Sequence, residues 1–524
     1  MSIKQMQGIV RMVRIQRLEF FSIVTLSLLV VLGAAMRFVN LDDKEFWHDE
    51  CFTALVLSGH TASELKEQIA SKPVLISDLT QFRIVNKTSN VQSLLRVIGE
   101  DEPGHAPLFY FIEYLFCLVF GTTPFTMRLV CAIISVITLP IIYWLALETY
   151  ESRVVAALTT ALAALSPLLI YYAQEARDYS LGIFFMALSS ATLFYALRSS
   201  KTEAWIGYAI TLIVGLHSWL FMTVVIAGHI FYVAMSQGRR TQVWRPFALC
   251  VASSGLLFGP WLLFLSHHLS NFKKAYDWMQ PSLSSSELLI VWLAIPYKAF
   301  ALFGFKTPKL GSLLLVITVF ECVATAIAAI PFRNKKYLHL SIIALWLIVF
   351  AGQDLLSGGA RSAVFRYQTV IIFSVLILFP TLIESLWKRN RVTKILALLS
   401  IAFIFGVELL SDNYMLNCKI WPDKAIRMRF TDPIVERMNK ENATALVAEE
   451  QSINLTELLD LSYKLHPDCQ LIFRTSNAPQ PVAKAFQTLY LWNPTPELEA
   501  QLKSQYEVTD NIDNFPYLKR AKLK

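Results

Sequence analysis

The pentapeptide Phe46-Trp47-His48-Asp49-Glu50 follows closely on the first long apolar run of the chain. Adjacent carboxylates at a membrane boundary are costly unless they pair, bind a ligand or take protons. Asp49 is a candidate general base for an attacking hydroxyl, with Glu50 beside it. An acidic pair in a solvated loop is the plainer reading of the same residues. Further charged clusters recur along the chain: Asp101, Glu102 and His105; Glu175, Arg177 and Asp178; His267, His268, Lys273 and Lys274; Arg361, Arg366 and Tyr367. Carboxylates for a proton and guanidinium forks for a phosphate suit transfer from an anionic, lipid-borne donor. Trp47, Tyr110, Tyr179 and Trp278 offer faces for a sugar or a lipid, although Trp and Tyr also favour the membrane interface for its own sake. Plain alternatives exist for most of these: a turn at Asp101-Glu102-Pro103, a local ion pair around Arg177, ordinary loop histidines at 267 and 268. Arg361 and Arg366 are harder to dismiss, because they break the positive-inside trend at the entrance of a span. No glycine-rich phosphate loop, nucleotide fold or zinc spacing is present.

The elements that must position these groups are membrane helices. Of 524 residues 55% are hydrophobic and only 16% charged, and many apolar runs approach the roughly 20 residues that cross a bilayer. The net charge of +8 fits basic cytoplasmic loops and calls for no nucleic acid. Residues 1–18 carry Lys4, Arg11, Arg14 and Arg17 without an acid, which places the N-terminus inside. The run from Phe20 to Val39 is longer than a signal-peptide core and reads as an uncleaved first span. A long outer loop then extends over 40–124, with short helices at 61–70 and 89–98. If the apolar stretch 106–120 crosses the membrane, the basic loops at 236–245 and 387–394 fall outside. If it lies in the interface, nearly every short basic cluster falls inside. The second arrangement is preferred: about eleven spans, with 106–120 and 286–304 interfacial. Those spans are 20–39, 125–147, 154–172, 181–197, 204–216, 219–235, 246–265, 311–331, 338–352, 369–386 and 393–410. Residues 411–524 are polar and proline-punctuated. Strands at 444–450, 469–474 and 486–492 and helices at 453–464 and 496–506 predict a small outer α/β domain. Cys418 and Cys469 are either a disulfide in that domain or two free thiols.

The pattern resembles the C-type (GT-C) membrane glycosyltransferases, in particular the protein O-mannosyltransferase, lipid A aminoarabinose transferase and RgtA-type bacterial branch. An aromatic-Asp-Glu motif after the first span, DEPGHAPLFY at 101–110 and SPLLIYYAQEARDYSL at 166–181 carry the resemblance, which covers about the first 240 residues well. His105-Ala106-Pro107 departs from the family's usual double proline. The resemblance implies an all-α polytopic fold with a catalytic first outer loop in a domain over 1–410; the 411–524 α/β domain is read from its own composition and is not covered by it. It implies Asp49 as base, and Asp101 and His105 as counterparts of the second motif. Arg177 and Tyr179 match the third motif, and Arg366-Tyr367 the phosphate-side arginine. With Glu50 and Asp101 also catalytic, Trp47, Glu102 and Arg361 complete the expected substrate-binding set. The implied activity is sugar transfer from a polyprenyl-phosphate donor to a glycan, lipid or protein acceptor, with inversion. The expected setting is the outer face of a bacterial cytoplasmic membrane. Oligosaccharyltransferases of the superfamily use a divalent metal; no carboxylate cage is visible here, and none is expected. A transporter of lipid-linked sugars and a non-catalytic scaffold are the competing classes.

Overall fold

The computed structural model describes residues 3–524 except 88, 239, 277–282, 303–315, 317–319, 322, 326–334, 420, 423–430, 441–444, 476–485, 487 and 510–517. Trp278 and most of the expected span 311–331 lie outside the described residues. The chain forms two compact units: 1–41, 104–109 and 128–418 in the first, and 42–103, 110–127 and 419–524 in the second.

The first unit is helical. It begins with α1 (Ile3–Met36), whose apolar part is Phe21–Met36, and continues through α6 (Pro124–Tyr150) and α7 (Arg153–Leu165) to α8 (Pro167–Ala173). Then follow α9 (Tyr179–Ser199), α10 (Thr202–Ser218), α11 (Met222–Gln237), α12 (Thr241–His267), α13 (Leu269–Tyr276) and α14 (Ser285–Ala294). Later helices cover Tyr337–Leu356, Phe365–Trp387 and Arg391–Leu416. Among the described residues six helices are long and apolar enough to cross a membrane, or seven if the bent pair α7–α8 is one span. That pair bends by 56° at Ser166-Pro167. Pro167 opens α8 because a proline has no N–H to give to the preceding turn. Helices α1, α10 and α11 occupy three further expected spans but are shorter in their apolar part.

Close packing of α1 on α7 depends on Gly33, where a Cβ would stand 2.2 Å from the Ala164 carbonyl oxygen. Arg37, fully buried at the end of α1, donates to Ser135 Oγ and to the carbonyls of Gly33, Ala163 and Ala164. An arginine without water must spend its donors this way, since each one left bare costs free energy.

The second unit holds α2 (His48–Ser58), α3 (Ala62–Ser71), α4 (Val91–Asp101), most of α5 (Leu108–Phe120) and a six-stranded sheet. At about 1.5 Å per residue, α5 reaches only about 20 Å, too short for a hydrocarbon core about 30 Å thick. The strands are β1 (Val74–Leu75), β2 (Ala445–Glu449), β3 (Gln470–Arg474), β4 (Thr488–Trp492), β5 (Tyr506–Thr509) and β6 (Leu518–Leu523). Their order is β1-β3-β2-β4-β6-β5, with β3-β2-β4 parallel and the flanking pairs antiparallel. The three parallel strands match the predicted ones. They are buried over three or four consecutive residues, as parallel strands covered on both faces are. The remaining strands were not anticipated. One of them, β1, belongs to the 40–124 stretch, so the sheet draws on both sides of the sequence boundary at 410/411. Cys418 and Cys469 are free thiols.

Candidate functional site

Within the helical unit, the five residues Gln174–Asp178 turn the chain from α8 into α9. The turn is anchored by Gln174, whose side-chain amide donates to the carbonyls of Met36 and Val39 at 3.2 and 2.8 Å. It is closed by the Arg177 N–H donating to the Glu175 carbonyl at 2.8 Å. The turn buries Glu175, Arg177, Asp178 and Tyr179 almost completely. Arg177 Nη2 lies 2.6 Å from His105 Nε2, and His105 Nδ1 lies 3.0 Å from Asp178 Oδ2. A guanidinium only donates, so Nε2 accepts, and the ring proton sits on Nδ1 and is donated to Asp178. His105 is thereby held as the neutral Nδ1–H tautomer.

His105 and Asp178 form part of the wall of a cavity of about 660 Å³. Lys273, Arg361 and Arg366 supply cations to the same wall, and Trp219, Phe221 and Tyr367 supply aromatic faces. The segment carrying the two arginines is pinned from several sides. Asp354 accepts from the backbone N–H groups of Arg361 and Ser362 at 3.1 and 2.7 Å, and its carboxylate lies 3.7 Å from the Arg361 guanidinium. Gln368 donates to the Ser362 carbonyl at 2.8 Å, and Trp346 Nε1 donates to the Tyr367 carbonyl at 2.7 Å. The Tyr367 ring lies 5.1 Å from Phe221. Tyr179 lies 4.5 Å from Tyr172, which stacks on Phe365. Tyr179, His105, Arg361, Arg366 and Tyr367 therefore converge on one cavity. Arg177 is not on its lining and stands behind His105. Sequence reasoning missed Asp354, whose one signal is an acid at the end of an apolar span, seven residues before Arg361. His267 and His268 donate to the i−4 carbonyls of Leu263 and Phe264, a role internal to the helix end.

Within the second unit, Asp49 and Glu50 occupy the first turn of α2, where unpaired N–H groups and the helix dipole favour negative charge. Glu50 is fully buried and accepts from the Trp47 N–H at 2.9 Å, whereas Asp49 keeps slight exposure. The motif is tied to the C-terminal segment at several points. The Phe46 N–H donates to Asp460 Oδ1 at 3.1 Å, Trp421 Nε1 to the Glu45 carbonyl at 3.1 Å, and the His48 ring meets Thr456 Oγ1 at 2.8 Å. Asp101 is engaged elsewhere: its Oδ2 accepts from the Ala62 N–H at the start of α3 at 2.7 Å. Burial, with Glu102 nearby, pushes its carboxyl up to about 6 despite that bond. Glu102 accepts from the Tyr110 hydroxyl at 3.0 Å. Glu113 on α5 is fully buried, and among the described residues its carboxyl has no hydrogen-bond partner. A lone acid in an apolar run was its signal in the sequence. Among the described residues no three His, Cys, Asp or Glu side chains are grouped to hold a metal ion.

Residues 104–264 match the family described as dolichyl-phosphate-mannose-protein mannosyltransferase. The structure is similar to that of ArnT from Cupriavidus metallidurans bound to undecaprenyl phosphate, with a TM-score of 0.56 at 13% identity over 94% of this chain and 97% of that one. Against the apo form of the same protein the TM-score is 0.57 at 11% identity, with the same coverage. The chain has the GT-C fold. No curated protein matches it by sequence. The family match spans His105, Arg177, Asp178 and Tyr179 of the GT-C core, and excludes the Asp49-Glu50 motif and the Arg361–Tyr367 segment.

Proposed function

We propose that this protein is a membrane glycosyltransferase. In this reading it moves a sugar from a polyprenyl-phosphate donor to an acceptor at the outer face of a bacterial cytoplasmic membrane. The observation that carries the reading is the cavity in the helical unit, with Lys273, Arg361 and Arg366 on an aromatic wall. Clustered cations on an apolar surface suit a phosphate attached to a lipid, and guanidinium forks stabilise the charge that grows on a departing phosphate. Undecaprenyl phosphate in the similarly folded ArnT structure supports a ligand of that class.

Asp49 acts as general base, drawing the proton from the acceptor hydroxyl as it attacks the anomeric carbon. The bond to the phosphate breaks as the new glycosidic bond forms, so configuration at that carbon inverts. Glu50 holds the start of α2 in shape through the Trp47 N–H. Trp47 and Glu102 border the same loop and serve the acceptor. His105, fixed by Arg177 and Asp178, presents the protonated Nδ1 to Asp178 and leaves its ring edge to position the donor.

The test is turnover of a panel of radiolabelled polyprenyl-phosphate sugars by purified protein and by Asp49→Asn. Transfer or release by the wild type, reduced by roughly 10²–10⁴ in a folded mutant, is the expected result. Donor binding without turnover, unchanged by the mutation, would overturn it in favour of transport.

A further inference from the structure

A second polar cavity, of about 600 Å³, lies wholly within the second unit. Its wall combines Lys44, Arg83 and Lys464 with Phe46, Phe125 and Tyr463. The charges there are unequally matched. Lys464 lies 3.3 Å from Asp460, and Lys44, almost fully buried, lies 5.4 Å from the Trp421 ring. Arg83 differs. Its guanidinium lies over the Tyr463 ring at 4.3 Å, and Nη2 makes one long bond of 3.3 Å to Thr80 Oγ1. Its Nε is shielded from solvent and has no hydrogen-bond partner among the described residues. Among the described residues no carboxylate reaches ion-pair distance of it. Burial lowers its pKa, the sign of a charge that is not compensated.

The loop holding Arg83 is built rather than slack. The Tyr463 hydroxyl donates to the Arg83 carbonyl at 3.2 Å, the Val85 N–H to Thr122 Oγ1 at 3.0 Å, and the Asn86 amide to the Gln81 carbonyl at 3.1 Å. An arginine stacked on a tyrosine keeps its fork in one plane and loses little freedom when it meets a planar or tetrahedral oxyanion. The aromatic walls beside it are what a sugar ring packs against, and the volume is that of an ordinary ligand pocket.

We infer that this cavity binds an acidic saccharide, with Arg83 taking its phosphate or carboxylate and the exposed Phe125 facing its ring, and that this saccharide is the acceptor. The last clause rests on the glycosyltransferase reading; the binding itself does not. Asp42, which is exposed, also lines the cavity and gives hydroxyl groups something to donate to, which selects a sugar over a bare anion.

Calorimetry on the full chain in phosphatidylcholine nanodiscs tests it, in an Arg361→Gln/Arg366→Gln background that removes the other cationic cavity as a competing site. Glucose 1-phosphate and glucuronate bind, neutral glucose does not, and Arg83→Gln weakens the acids by about tenfold or more, as loss of a charged hydrogen bond requires. Arg83→Lys retains part of the binding. Should Arg83→Gln fail to fold, phenylglyoxal labelling of the wild type reads the same site: glucose 1-phosphate protects Arg83 and glucose does not. Equal binding with and without Arg83, or absent protection, overturns the inference. Displacement of the sugar acid by phosphatidylglycerol in the nanodisc overturns it too, by making a phospholipid headgroup the ligand. Donor turnover, measured separately, reports on the transferase reading alone.

Discussion

The contact between Arg177 and His105 constrains one proton. Because the guanidinium can only donate, a second proton on His105 Nε2 would break the 2.6 Å contact, and the cavity wall would lose its fixed edge. Nitrogen NMR of labelled histidine should find His105 as the Nδ1–H tautomer in the wild type and a mixture in Arg177→Met. Turnover of that variant should fall about 10–100-fold, the range for a hydrogen bond to a charged group. Asp101 carries a different prediction. Its folded pKa, about 6, lies above its unfolded value, so its favourable contribution is complete below the unfolded pKa and lost as pH rises through about 6. Asp101→Asn should therefore raise the unfolding midpoint at pH 7.5, with the advantage vanishing in the acid range below the unfolded pKa. A midpoint difference independent of pH would contradict this.

The cavity is shaped where elements meet, and one glycine decides part of its outline. A Cβ on Gly182 of α9 would come within 2.4 Å of the Trp219 ring, which lines the cavity. Gly182→Ala should push the indole toward the lumen, raise the donor KM several-fold and cost about 1–3 kcal/mol in stability. Kinetics indistinguishable from wild type would show that the ring has room to retreat. This level also marks where the sequence was legible. Hydropathy gave most of the helices, and short apolar runs gave β2, β3 and β4, because burial on both faces leaves a plain composition signal. It did not show β1, two residues whose pairing is decided by a partner distant in sequence. Of the residues singled out in the sequence, His105, Tyr179, Arg361, Arg366 and Tyr367 line one cavity. Hydrogen-bond geometry was beyond a sequence: it set Arg177 behind His105 and gave Asp101 to the start of α3.

For the whole chain, the telling fact is that the Asp49-Glu50 motif and the C-terminal strands belong to one unit. A protease site engineered after Cys418, cut in the folded protein, should leave fragment 419–524 bound through β1 and the bonds to Phe46, Glu45 and His48. Release of the fragment on mild dilution would refute that. The same pairing sets an order of events during synthesis. Val74 emerges about 400 residues before its partner Leu471. At ribosomal rates of about 5–20 residues per second, the two are separated by roughly 20–80 s. Throughout that interval the nascent chain carries its acidic motif with no Asp460 to accept from the Phe46 N–H and no strand to close the sheet beside β1. A polypeptide stalled or cut short before its last hundred residues would carry the motif without the strands and side chains that hold it, so its shape waits on the completion of translation.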